Sequence, residues 1–299
     1  KQISLPNIII LAMKLSLWIV VTLVVSGVRC AQKSLTDDEI TELSKLLWET
    51  ETKSNPDPGV VLNFQGKTYS RGNRDMAAQR LFQSVDETFF QKPTVSAFIN
   101  LLDNYEPLVG NREIEDNLEN LEVDTFVDTI INSPVIKKFG FYLSKKGLLG
   151  DKLQFKNQLK DMWFLLYPRA GRVLGSSGFE HVFVGEMKNN MVIGFHNWIS
   201  FYLLEKRNKV DYRGWIYKKN IDSGHSILKK QFMWNKVLKP VGSMFIGTSP
   251  EYEIAVYTLC FMFRLEADCN IDVNGKIINI TTHKFVYQGK LRVASAFPN

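Results

Sequence analysis

Four histidines occur in the chain, and two of them, His181 and His196, bracket one short stretch. An imidazole titrates near neutral pH, so it can both take up and release a proton there. Two imidazoles held side by side can remove one proton and deliver another within a single reaction. The remaining two, His225 and His283, also fall in the second half of the chain. Within Asp222–Ser226 and Thr282–Lys284 they read as structural or solvated residues.

The stretch between His181 and His196 carries β-type runs, Val182–Val184 and Met191–Ile193, around Lys188-Asn189-Asn190. This pattern predicts a β-hairpin, because asparagine tolerates the left-handed backbone of a tight turn. A Lys188-Asn189 loop sets His181 opposite His196. An Asn189-Asn190 loop sets His181 opposite Trp198, with His196 its diagonal neighbour. Either register brings the imidazoles within side-chain reach. A three-residue loop puts them on opposite faces unless Gly185 or Gly194 forms a bulge. Spacing alone equally fits two unrelated sheet histidines. Alternation along a strand predicts Glu180 and Glu186 on the face turned away from His181, so neither carboxylate is expected to touch that imidazole.

The elements that must position this stretch divide by texture. Up to about residue 165 the sequence reads as helical. Thr36 with Glu39 makes a capping box ahead of the apolar series Ile40, Leu43, Leu46, Leu47. Ser54–Gly59, with two prolines, breaks that helix. Further helices are predicted over Asp75–Val85, Thr94–Leu102, Glu113–Ile131 and Asp151–Leu166. Tyr167–Arg172 is punctuation. Beyond it come short β-type runs: the histidine stretch, Val256–Phe263, and Asn270–Val273 with Lys276–Thr281 around an Asn274-Gly275 turn. One helix interrupts them, capped by Ser249 with Pro250 at its first position and running to Tyr257. Helices followed by sheets predict an α+β fold, mostly helical over 31–170 and β-rich over 171–299.

At 299 residues, 45% hydrophobic and 12% aromatic, the composition is that of a globular protein. A net charge of +6 is compatible with a polyanionic partner but does not require one. Met13-Lys14, the apolar run Leu15–Val25 and Ser26–Cys30 read as a secretory signal peptide over 1–30, cleaved after Cys30. Residues 1–12 read as translated upstream sequence, and a membrane anchor over Ile8–Val28 is the alternative. Secretion and no stable membrane association after cleavage are therefore expected. The two remaining cysteines, Cys260 and Cys269, form either one disulfide or two buried thiols. Asn279-Ile280-Thr281 is a glycosylation sequon. Phosphate-binding loops, His-Glu-x-x-His, Cys-x-x-Cys and the Gly-x-Ser-x-Gly elbow are all missing.

The runs Leu174–Glu186 and Gly194–Trp198 resemble the EndoU family, the XendoU and placental-protein-11-like endoribonucleases related to the nidoviral uridylate-specific enzyme. Lys239-Pro240-Val241-Gly242-Ser243, Gly247–Glu251 and Ser295–Pro298 extend the resemblance, which spans roughly 35–299. It implies two lobes of antiparallel sheet with a cleft between them, and a catalytic set of His181, His196 and Lys239. Cleavage of RNA by its own 2′-hydroxyl needs a base, an acid and a cation beside the phosphorane, and two imidazoles and an ammonium fill those posts. The product would be a 2′,3′-cyclic phosphate. His196 is read as the base and His181 as the acid, with the reverse order open.

The resemblance also assigns Ser243 to uracil reading and Glu180 and Glu186 to activity and a divalent-cation response, either as a leg of a Mn²⁺ or Ca²⁺ site or as strand-face residues. The family's tail is typically Thr-x-Tyr-Pro. Here Ser295 keeps the hydroxyl, and Phe297 keeps a stacking face without the phenol oxygen. Lys218-Lys219 and Lys229-Lys230 are candidates for flanking phosphates. The expected partner is single-stranded, uridine-containing RNA and not DNA, bound by a monomer. The rival reading is a catalytically silent, secreted RNA-binding or interaction module on the same scaffold.

Overall fold

The computed structural model describes residues 34–299 apart from 56, 114 and 115, so the predicted leader lies outside the described residues. The capping box at Thr36 forms as expected, and it opens α1 (Asp37–Ser54), whose Ile40, Leu43, Leu47 and Trp48 are buried. A small ladder of β1 (Val61–Leu62) and β2 (Phe82–Ser84) follows. The helix predicted over Asp75–Val85 does not form. Its first half is irregular and its second half is β2. Leu81 and Phe82 donate their backbone N–H groups to the buried Glu205 carboxylate, so a tertiary acceptor outcompetes helical bonding there.

Four helices complete this part: α2 (Pro93–Asn100), α3 (Asn117–Ile131), α4 (Pro134–Lys145) and α5 (Lys152–Trp163). Asp116 caps α3 in a second capping box, three residues inside the predicted start. Helix α4, which is not among the predicted helices, is capped by Ser133 with Pro134 at its first position.

Next come β3 (Glu186–Lys188), β4 (Met191–Ile193), α6 (Trp198–Lys206) and a three-stranded antiparallel sheet of β5 (Val210–Asn220), β6 (Ser226–Trp234) and β7 (Val237–Ile246). Then α7 (Pro250–Phe263) leads into a second antiparallel sheet, β8 (Cys269–Val273), β9 (Lys276–Tyr287) and β10 (Lys290–Pro298), in the order β10-β9-β8. Val256–Phe263, expected as a strand, is the continuation of α7. A short apolar run fits a buried strand and a buried helix equally well, and α7 is buried on every side from Pro250 to Phe261. The fold is α+β as predicted, with α6 and α7 inside the β-rich half and the β1–β2 ladder inside the helical one.

Helix α7 forms the central post. It packs against α1, α2, α4, β9 and β10. Its C-terminal turn is tied to the start of β8 by a Cys260–Cys269 disulfide, with Cα atoms 5.6 Å apart. The two sheets approach each other where β10 packs on β7, and the histidine stretch lies against both. Among the described residues, no helix is long and apolar enough to cross a membrane.

Candidate active site

Of the two predicted registers, the Asn189-Asn190 loop is the one that forms. Both asparagines have positive φ, and Lys188 pairs with Met191 and Glu186 with Ile193. The hairpin is shorter than expected, however, and neither histidine is on it. His181 lies on a π-helical turn, Glu180–Val184, closed by the Gly185 N–H donating to the Glu180 carbonyl at 2.8 Å. Such widened turns recur at functional sites because they re-aim a side chain. Strand alternation therefore does not apply to Glu180 and His181.

The backbone then brings the histidines together directly. Phe195 N–H donates to the His181 carbonyl at 2.8 Å, and His196 N–H donates to the Val182 carbonyl at 2.7 Å. Gly194 makes this approach possible: a Cβ there would lie 1.9 Å from the His181 carbonyl oxygen. Phe195 is held at φ 68°, a strained conformation for a bulky residue, immediately before His196. The two imidazole centroids are 6.3 Å apart. Asn197 ends the segment by capping α6 and donating to Glu253 on α7 at 3.2 Å.

Each imidazole has its Nδ1 engaged. His196 Nδ1 lies 2.8 Å from the Ser243 carbonyl, so this nitrogen carries the hydrogen and Nε2 is left as the basic atom. His181 Nδ1 lies 2.6 Å from Glu186 Oε2. That contact corrects the expectation that Glu186 would face away from His181: the chain reverses at Gly185, whose φ is 99°. Arg169, read from sequence as punctuation, sets its Nε 3.0 Å from the same Glu186 oxygen. It is held by Ser176 Oγ at 2.8 Å, the Ala294 carbonyl at 2.8 Å and the Tyr167 hydroxyl. No local pattern marks it, since its partners come from the chain on both sides and from β10.

Lys239 projects from β7, is 7% exposed, and its Nζ lies 3.4 Å from the Val192 carbonyl. Burial pushes its ammonium down to about 8. Both imidazoles are pushed well below the ordinary histidine range, first by burial and then by neighbouring cations: Arg169 and Lys239 for His181, Lys239 for His196. Burial pushes Glu186 up to about 7 against the pull of Arg169. Burial and then Glu186 push Glu180 well above the ordinary carboxylate range, and neither of its oxygens has a hydrogen-bond partner among the described residues.

Glu180 and Glu186 thus supply two buried carboxylates, one of them already engaged by Arg169. Among the described residues no group of three or more His, Cys, Asp or Glu clusters as a metal site, and Ca²⁺ asks for six or more oxygens. The residues present do not make a Mn²⁺ or Ca²⁺ site by themselves.

Ser243 is buried on β7, and it is its carbonyl that orients His196. Phe297 on β10 stacks on the His196 ring at 4.7 Å and 16°. Ser295 is buried on β10 opposite His283, and the exposed His283 ring lies 6.3 Å from Phe297. His225 is structural: it contacts Asp222 at 2.8 Å and packs edge-on to Trp48. Among the candidate phosphate lysines, Lys230 is fully buried over the Phe201 and Phe232 rings, at 4.6 and 5.0 Å. It sits there because successive strand residues face opposite ways, which leaves only its neighbour Lys229 towards solvent. Lys219 is tied to the Ile277 carbonyl at 2.9 Å.

The model of the family described as Endoribonuclease XendoU matches residues 39–298. The human uridylate-specific endoribonuclease is 40% identical over 271 residues, which cover 88% of this chain and 66% of that protein. Uridylate-specific endoribonuclease D of Xenopus laevis is 36% identical over 274 residues, covering 89% of this chain and 90% of the relative. The chain thus spans about two thirds of the human protein and nearly all of the frog one. The solved structure of XendoU, described as a splicing independent snoRNA processing endoribonuclease, superimposes with a TM-score of 0.73 at 34% identity, covering 87% of this chain and 96% of that one.

Proposed function

The chain belongs to the XendoU endoribonuclease family, and from that premise we propose that it cleaves single-stranded RNA, preferentially at uridine, by attack of the RNA's own 2′-hydroxyl. The observation that carries this reading is the pair of imidazoles 6.3 Å apart, each anchored through Nδ1, beside one buried ammonium. Rings this close can both reach one phosphate, each with its Nδ1 already engaged.

His196 Nε2 takes the 2′-hydroxyl proton, and the new bond forms from the 2′-oxygen to phosphorus. The bond from phosphorus to the 5′-oxygen breaks, and His181 supplies the proton that oxygen needs. The products are a 2′,3′-cyclic phosphate and a 5′-hydroxyl. Glu186 supports the acid role of His181, because a carboxylate against Nδ1 stabilises imidazolium. Ser243's neutral carbonyl, by contrast, fixes the His196 tautomer without favouring its charged form as strongly. Lys239 offsets charge on the non-bridging oxygens. Phe297, on the His196 ring, offers a face for uracil, and Ser243 a hydroxyl to read it. Export through the apolar leader is supported by the Cys260–Cys269 bond, since disulfides persist in oxidising compartments.

The test is a short uridine-containing RNA and its 2′-deoxyuridine counterpart, each incubated with EDTA and with Mn²⁺ or Ca²⁺. Cyclic phosphate ends from the RNA alone are the expected result. Cleavage of the deoxy substrate would sink the 2′-hydroxyl mechanism.

A further inference from the structure

A row of side chains leads away from the catalytic pair across β5–β6–β7. Ser243 pairs with Lys229, and Lys229 with Tyr217, so these three residues share one face of the sheet. Ser243 is at the buried end, where its carbonyl holds His196. Lys229 is half-buried, with its Nζ 2.7 Å from Asn299 Oδ1 and 6.0 Å from the Tyr217 ring centroid. Asn299 is two residues beyond Phe297, the ring stacked on His196. Tyr217 is at the open end and is 44% exposed.

We propose that Lys229 and Tyr217 form a subsite for the nucleotide next to the cleaved one, Tyr217 stacking its base and Lys229 facing its phosphate. The chemistry of a single strand asks for an aromatic face and a cation at each step along the groove. Adjacent strands are about 4.8 Å apart, which sets Tyr217 on the order of 10 Å from Ser243, beyond the reach of the base that Ser243 would read. Lys230 is buried, Lys219 is bonded to the Ile277 carbonyl and Lys218 lies over the Phe64 and Trp215 rings, whereas the partner of Lys229 is the side chain of the terminal Asn299, which a phosphate can displace. The occupant is therefore RNA continuous with the strand in the catalytic cleft. This inference rests on the endoribonuclease reading.

The experiment compares kcat/KM on a uridine-centred octanucleotide and on a uridine-containing dinucleotide for the wild type, Tyr217→Ala, Tyr217→Phe and Lys229→Gln. Binding of a 2′-deoxyuridine octanucleotide is measured alongside by fluorescence anisotropy. Tyr217→Ala is expected to lose on the order of tenfold on the octamer through KM, and markedly less on the dinucleotide. Tyr217→Phe should restore the octamer, and Lys229→Gln should shallow the salt dependence of octamer binding by about one phosphate contact. Equal losses on both substrates, or no loss on either, overturn the subsite. Should the wild type cleave neither RNA, the endoribonuclease reading fails. The anisotropy arm then decides the subsite separately: weaker octamer binding by Tyr217→Ala supports it, and unchanged binding overturns it.

Discussion

Glutamates are buried in pairs at two places in this molecule, and burial shifts them in the same direction. Glu186 beside Glu180 and Glu51 beside Glu251 are all raised, with Glu186 and Glu51 each brought to about 7. Their partners differ. Glu51 accepts from Ser249 N and Oγ at 2.7 and 2.8 Å and from the Asn55 amide at 2.7 Å. Glu251 shares that amide at 3.2 Å and takes the Thr94 hydroxyl at 3.0 Å. These donors are neutral, and they tie α1, α2 and α7 together. Glu186 instead meets an imidazole and a guanidinium. A raised carboxyl is thus a consequence of burial in both regions. Only at Glu186 does the carboxyl stand against an imidazole, the group that the proposed reaction uses to move a proton.

The largest expected effect falls on the proposed catalytic side alone. His196→Ala should lower kcat on a uridine oligonucleotide by about 10²- to 10⁴-fold while its melting midpoint stays near that of the wild type. A variant that kept its rate would remove the site from the comparison altogether. The same change made in both clusters is the next test. Glu186→Gln should cost activity roughly 10- to 100-fold, because the amide mis-sets the His181 ring and its tautomer. Glu51→Gln should leave the rate within about twofold but cost about 1–3 kcal/mol of stability, since one of its two accepting oxygens becomes a donor. Rate assays and urea melts on the two proteins would expose a reversed pattern at once.

The pH dependence separates the regions further. Both imidazoles are pushed down, so the kcat/KM profile should peak on the acid side of about 6.5. Loss of the Lys239 proton near 8 deepens the alkaline fall. Stability should move with its own sign. Glu51 at about 7 and Glu253 at about 8 keep their protons in the folded protein after an unfolded chain, near 4.5, has lost them. Their contribution is therefore complete below about 4.5 and is lost as pH rises through 7 to 8. Melting midpoints should decline between pH 5 and 8, and Glu51→Gln should flatten part of that decline. The smallest effect belongs to the tail: Phe297→Tyr restores the family's phenol oxygen and should raise kcat/KM a few-fold, worth about 0.5–1.5 kcal/mol. An unchanged value would assign the position to stacking only.

Much of the local structure was legible from the residues. The Thr36–Glu39 box, the Ser249-Pro250 start of α7 and the Asn274-Gly275 turn each depend on groups within a few positions of one another. The site was legible as a set of residue types, His181, His196 and Lys239, because the family resemblance named them. Its wiring was not. Arg169 reaches Glu186 across 17 positions, and Ser243 reaches His196 across 47. Residues 75–85 and 256–263 depart from their local pattern because a buried acceptor and an enclosing core outweigh it.

What the sequence determined by itself is therefore what neighbouring residues decide between them: caps, turns, the change from helical to β texture, and the presence of two imidazoles with one ammonium. Tertiary structure alone decided that a π-turn and a Gly194 close approach, not a hairpin register, bring the imidazole centroids to 6.3 Å. It also decided which nitrogen of each ring is tied, and that Lys230 is buried while Lys229 is only half-buried. Those outcomes depend on how packed faces desolvate and orient groups far apart in the chain, and a linear pattern of residue types carries no record of that packing.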